Sequence, residues 1–451
     1  MIGKGRVRWI SLLAVALAAT TALTACSSSG SSSGSSSGSG KQTIRYMVWD
    51  PNEAVGYRKV ISAFEAQNPN VKVQMEVLPW ASYWTKLYTQ VSGGDAPDVF
   101  WTMPSYIPTL VQKKAMLPLN SLIEKDKVDL NYGIPVLAKS LSVNGQTYGI
   151  QKDWDALVYF YNPSALKAAG IQSAPQNLTW TPSGGGTFLP LMQELTLDAN
   201  GKNATQPGFD GSKIKQYGFA YATADVDPAD MMPWILSNGG QILDSSGKLN
   251  VNSAANVETF TFLKALINKY HVAPAYQAMI SSTAFSLFVG GKVAVWQTGP
   301  WELSAIETAA DFKPVISANA AGKDGSWTRV NGLTDSISST TTHQQAAWSF
   351  VKYIASNAGQ KVLGSTGVVF PAQVVGTTAM EQYWQQKGVD LTALSTVTHG
   401  SNAQVAADPV TKNFLQFIHL WDTTIGQILS NQVPVKQGLD QLQAQGSSII
   451  K

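Results

Sequence analysis

Between Thr43 and Trp101 the chain switches repeatedly between strand-like and helix-like hydrophobic patterns, and that alternation restricts the fold more than any other feature. Residues 43–49 are β-branched and aromatic, as in a buried strand. Residues 57–67 place Val60, Ile61 and Phe64 on one helical face, and Asn68-Pro69-Asn70 stops the helix. Residues 71–77 alternate as a second strand, and residues 84–91 read as a helix. Gly93-Gly94-Asp95-Ala96-Pro97 then turns the chain into a strand at 98–101. A βαβαβ order implies a parallel, doubly wound sheet with helices on both faces. A second α/β unit is expected downstream. Its helices are predicted at 164–169, 187–197, 228–238, 254–270 and 283–289, and its strands at 156–161, 218–221 and 293–297. Helices are also predicted at 344–355, 411–429 and 435–445.

The front of the chain reads differently. Lys4, Arg6 and Arg8 precede an apolar run, and Leu23-Thr24-Ala25-Cys26 has the form of a lipobox. Residues 1–25 are therefore expected to be a lipoprotein signal peptide, with Cys26 as the lipid attachment point. An ordinary secretory signal or a short membrane anchor is the plainer alternative. Residues 27–40 are almost pure Ser and Gly and read as a flexible tether.

Removing the leader leaves 29 basic and 29 acidic residues, so nothing in the charge favours nucleic acid or anionic lipid. Cys26 is the only cysteine, which excludes disulfides, zinc ribbons and cysteine nucleophiles. The four histidines (His271, His343, His399, His419) show no metal-ligand spacing, and no Gly-x-Ser-x-Gly elbow is present outside the Ser/Gly tract. No cofactor is expected.

Several motifs carry a resemblance to a known family. They include Gly94-Asp95-Ala96-Pro97-Asp98-Val99-Phe100-Trp101, Gly145-Gln146-Thr147-Tyr148-Gly149-Ile150, Asn238-Gly239-Gly240, Phe288-Val289-Gly290-Gly291-Lys292, Gly299-Pro300-Trp301 and Ala346-Ala347-Trp348-Ser349-Phe350. In order and spacing the chain resembles the extracellular solute-binding proteins of sugar-importing ABC transporters, the family that includes maltose-binding protein. The resemblance implies an α/β, two-lobed periplasmic-binding-protein-like fold of type II, with the ligand in a cleft between lobes. Mapped onto this chain, residues 43–153 and 333–371 would form lobe one, and 156–330 and 375–451 lobe two. The crossings would fall near 153–155, 330–334 and 372–375, in extended segments.

A sugar pocket needs flat aromatic surfaces for C–H faces and carboxylates or amides for hydroxyls. Trp301 is the first candidate, because the resembling family uses this tryptophan as a stacking platform; packing of the next helix turn is the alternative. Trp49 and Trp101 stand at carboxyl ends of strands, where open α/β sheets bind ligands. Trp234, on a helix, and Trp421, on a late helix, are weighed against ordinary core packing. Asp155 aligns with a sugar-contacting acid of the family, against a hinge salt bridge, and Glu53 with another polar contact, against a solvated helix start. Asp98, at a strand start, reads as structural. Arg329 is a possible contact for an anionic ligand, with a surface role favoured. Pro104, Ser105 and Ala54 depart from the maltose-binding pattern, so maltodextrin is not implied.

The expected function is a non-enzymatic receptor that captures a sugar or oligosaccharide and delivers it to an ABC permease at the outer face of the cell membrane. A lipid-anchored, extracytoplasmic monomer is expected. The alternatives are a polyol or glycerol-phosphate-type solute, and a surface glycosidase; the latter lacks a facing acid pair in the sequence.

Overall fold

The first strand, β1 (Gln42–Val48), pairs in parallel with β2 (Val71–Val77) along its whole length and with β3 (Val99–Thr102) on its other side. The crossovers are α1 (Pro51–Gln67) and α2 (Trp80–Gly93), so the expected βαβαβ unit is formed. The computed structural model describes residues 41–221, 227–282 and 284–450. The leader, Cys26 and the Ser/Gly tract lie outside the described residues.

Helix α1 begins six residues before the sequence-predicted start. Asp50 is its N-cap and accepts from the backbone N–H groups of Asn52 (2.7 Å) and Glu53 (3.1 Å), while Pro51 supplies a pre-set φ at the first position. Gly56 allows a close approach on the opposite side, since a Cβ there would collide with Val368 and Thr366. Ala54, Tyr57, Val60, Ile61 and Phe64 form the buried stripe. Asp98 is structural, accepting from Arg45 N–H at 2.8 Å and from the Thr341 hydroxyl.

Two antiparallel additions, Thr334–Ile337 and Ile150–Gln151, complete this sheet, which runs β2, β1, β3, then those two. A second five-stranded sheet orders Val315–Ser317, Val158–Tyr161, Val293–Thr298, Ile214–Ala220 and Leu197–Asp198. Between them lies a four-stranded ribbon: Phe370–Pro371, Asp153–Ala156, Trp327–Asn331 and Gln404–Ala407. The chain leaves the first sheet at Gln151, runs through this ribbon and enters the second at Val158. It returns through Trp327–Asn331 to Thr334. Two hydrophobic cores result, one under each large sheet. This is the two-lobed α/β arrangement.

The core boundaries differ from the expected lobe boundaries in more than one place; Phe370, expected in lobe one, packs into the second core. Ile134 and Leu137 pack into the larger, second core, although they precede residue 153. The segment 372–375 is not wholly extended either, because the helix Val374–Gln386 starts there. The helices Asn357–Gly364 and Thr392–His399 were not anticipated. Among the described residues no helix is long and apolar enough to cross a membrane.

Candidate functional site

Open α/β sheets offer ligand sites at the carboxyl ends of their strands, and here that edge of the first sheet faces the second lobe. A cleft of about 490 Å³ lies there. Trp49, just past β1, and Trp80, at the start of α2, contribute apolar surface from lobe one. Trp301 and Phe285 contribute it from lobe two.

Trp49 is set by its neighbours. Its ring meets Trp80 at 5.2 Å, Tyr83 at 4.9 Å and Trp101 at 5.1 Å, each edge to face. Trp301 is set by a glycine: its indole lies across Gly299, where a Cβ would enter the ring. This explains the local Gly-Pro-Trp sequence, since the turn after Val293–Thr298 leaves no room for a side chain beneath the indole.

Of the residues singled out in the sequence, Trp301, Trp49, Asp155 and Glu53 line the cleft. Trp101, Trp234 and Trp421 do not. Trp101 is fully buried because every residue of β3 is interior; it supports Trp49 from beneath and donates its indole N–H to Tyr46. Trp234 belongs to the second core, where it donates to Gln297 at 2.8 Å and packs against Trp180 and Phe188. Trp421 is buried against Phe260 and Phe417. In each case the apolar face of a strand or helix, rather than the cleft, takes the indole.

Arg329 is neither a surface residue nor open to an anion. It is 7% exposed and holds Asp408 with two nitrogens (2.7 and 2.5 Å) and Asp155 with a third (2.9 Å). This clamp ties together three segments of the ribbon, since Asp155 and Arg329 lie in paired strands and Asp408 follows a third. One Asp155 oxygen is thereby occupied.

The sequence reading missed Asp50, Trp80, Asp227, Asp230 and Glu302, all of which line the cleft. The signal for Asp50 was its place directly after a strand end; that for Glu302 was its place next to Trp301. Asp227 caps the helix Pro228–Ser237 and accepts from Ala229 N–H at 2.9 Å. The cleft thus carries carboxylates on both walls. Among the described residues no group of three or more His, Cys, Asp or Glu side chains is placed to hold a metal ion.

Burial, and then the facing Asp50 carboxylate, push Glu302 up to about 7. Burial likewise lifts Asp155 to about 6, although Arg329 pulls in the other direction. Both stand above the ordinary carboxylate values of about 4. From about pH 4 to pH 7 the folded chain therefore holds more of these protons than the unfolded chain, so their contribution to stability falls as pH rises. We expect Glu302→Gln to flatten the dependence of melting temperature on pH across that window. An unchanged profile would show that Glu302 does not titrate there.

A model of the bacterial extracellular solute-binding protein family matches residues 50–361. The chain belongs to that family. The multiple sugar-binding protein of Streptococcus mutans is 25% identical over 319 residues, covering 70% of this chain and 71% of that protein. Among solved structures, Mycobacterium tuberculosis UspC is 27% identical with a TM-score of 0.70, covering 90% of this chain and 100% of that one. An ABC substrate-binding protein from Listeria monocytogenes, in complex with cycloalternan, has a TM-score of 0.78 at 22% identity, with 90% and 98% covered. Family membership accounts for the two lobes and the cleft; the side chains within the cleft are this chain's own.

Proposed function

We infer that this family member is the carbohydrate receptor of an ABC importer. The observation that carries the reading is the pairing of aromatic surface on both walls, Trp49 and Trp80 against Trp301, with carboxylates set between. Indole faces suit the C–H faces of a pyranose, and carboxylates accept its hydroxyl protons. A ligand touching both walls stabilises the closed arrangement over an open one, and only the closed form would dock productively on a permease. Capture needs no bond to be made or broken, so the protein acts as a receptor and not as an enzyme. The sugar ligand of the streptococcal relative agrees with this. A glycerol-phosphate ligand is disfavoured, because Arg329 is already committed to Asp155 and Asp408.

The leader and Cys26 make the receptor a lipoprotein on the outer face of the membrane. Cys26→Ser is expected to move the protein from the membrane fraction to the soluble fraction and to abolish palmitate labelling. Retention of the label would place the lipid elsewhere.

The test of function is a thermal-shift screen of the full chain in mild detergent against mono- and oligosaccharides. A true ligand at 100 times its dissociation constant adds about 2.7 kcal/mol of stability. The same mixtures should yield no new reducing ends. Absence of any stabilising glycan, or steady release of reducing ends, would overturn the reading.

A further inference from the structure

The cleft is lined by six acidic side chains, Asp50, Glu53, Asp155, Asp227, Asp230 and Glu302. Arg329 is the only cation among the described lining residues, and two carboxylates already hold it. Lys152, whose charge acts on Glu53, is 1% exposed. Its Nζ is bound to Asp153 at 2.8 Å and lies over the rings of Tyr57 and Trp101 at 4.3 and 4.1 Å. Neither can swing into the cleft to balance its charge.

Glu53 shows where the imbalance is sharpest. It is 6% exposed, and its Oε2 is buried without a hydrogen-bond partner. At the third position of α1, behind an Asp50 cap, a glutamate often folds back onto the cap's N–H group. Here one oxygen is left unsatisfied at the cleft wall instead. An unpaired buried carboxylate is costly, and the protein supplies no donor for it. Burial first, then Asp50 and Asp153, push the Glu53 carboxyl well above its ordinary value, with Lys152 acting the other way.

A neutral hydroxyl can meet a Glu53 carboxyl that keeps its proton, but it brings no charge that would let the group ionise. An ammonium brings three N–H donors and a compensating charge together. The aromatic walls add attraction for a cation held near their faces. Because no three of the described acids converge as a metal site, the complementary charge belongs on an extended molecule.

We propose that the ligand is a glycan carrying a protonated amine, with the ammonium seated against Glu53 beside Asp50 and the remaining acids reading hydroxyls. This rests on the carbohydrate-receptor reading above and narrows it.

The experiment measures dissociation constants by calorimetry for sugar pairs matched except at the amine: glucosamine and glucose, galactosamine and galactose, chitosan oligosaccharides and cello-oligosaccharides. In at least one pair the amino member binds about 10-fold tighter or more. Glu53→Gln, an isosteric change, reduces that ratio to about 3-fold or less, as expected when one charged contact is removed. Equal binding within every pair overturns the proposal while leaving the carbohydrate receptor intact. Binding of neither member in any pair overturns the proposal, and the wider glycan screen then decides whether the carbohydrate receptor stands. A preference that survives in folded Glu53→Gln overturns the seat at Glu53.

Discussion

Replacing Trp301 with alanine is expected to weaken ligand binding roughly 30-fold or more, a loss of about 2 kcal/mol, as for other aromatic anchors in binding pockets. The indole is only partly buried in the free protein and faces the cleft, so its removal costs the apo fold little. The ligand-induced rise in melting temperature should vanish while the apo value barely moves. Gly299→Ala offers a check that leaves the tryptophan in place. Gly299 has φ −129°, a conformation alanine accepts, so the added methyl acts by displacing the indole it meets. A smaller loss of affinity is expected, again with little change in apo stability. A full ligand response from Trp301→Ala would remove this residue from the site.

Arg329→Met should be the most destabilising single change near the cleft. It leaves Asp155 and Asp408 facing each other with no cation between them, 16% and 4% exposed at their side chains. Removing one partner from a buried ion pair costs about 3–5 kcal/mol. The loss should be largest above neutral pH and shrink towards about pH 5, because the orphaned Asp155 carboxyl, already raised by burial, can then take up a proton. Denaturant unfolding at both pH values checks this. A mutant as stable as wild type in alkaline buffer would show that the clamp contributes nothing.

The strands and helices of the first lobe were legible because their periodicity is clean: β1, β2 and β3 have few competing turn signals, and Asn68-Pro69 and Gly93-Gly94 punctuate them. The start of α1 was missed because Asp50 and Pro51 look like a loop until their capping role is recognised. The helices Asn357–Gly364 and Val374–Gln386 were missed for a related reason, their glycines. Gly364 and Gly376 meet where those helices touch, and a Cβ on Gly364 would strike the Gly376 backbone. Such glycines read as breakers locally and as contact points in three dimensions.

The site was only partly legible. Trp49 and Trp301 follow strands and have neighbours that fix them, and position along the chain suffices to suggest a cleft edge. Trp101, Trp234 and Trp421 have the same chemistry, and only packing decides that their rings face inwards. Arg329 shows the same limit for charge. Its two carboxylate partners stand 174 and 79 positions away in the chain, a pairing no local pattern encodes.

The ribbon that joins the lobes has a mechanical consequence. Its four short strands are laced edge to edge, so a bend imposed on Asp153–Ala156 is handed at once to Trp327–Asn331 and Phe370–Pro371. Strands paired in this way are constrained to move together, so any change in the angle between the walls would carry the indole surfaces of both with the ribbon.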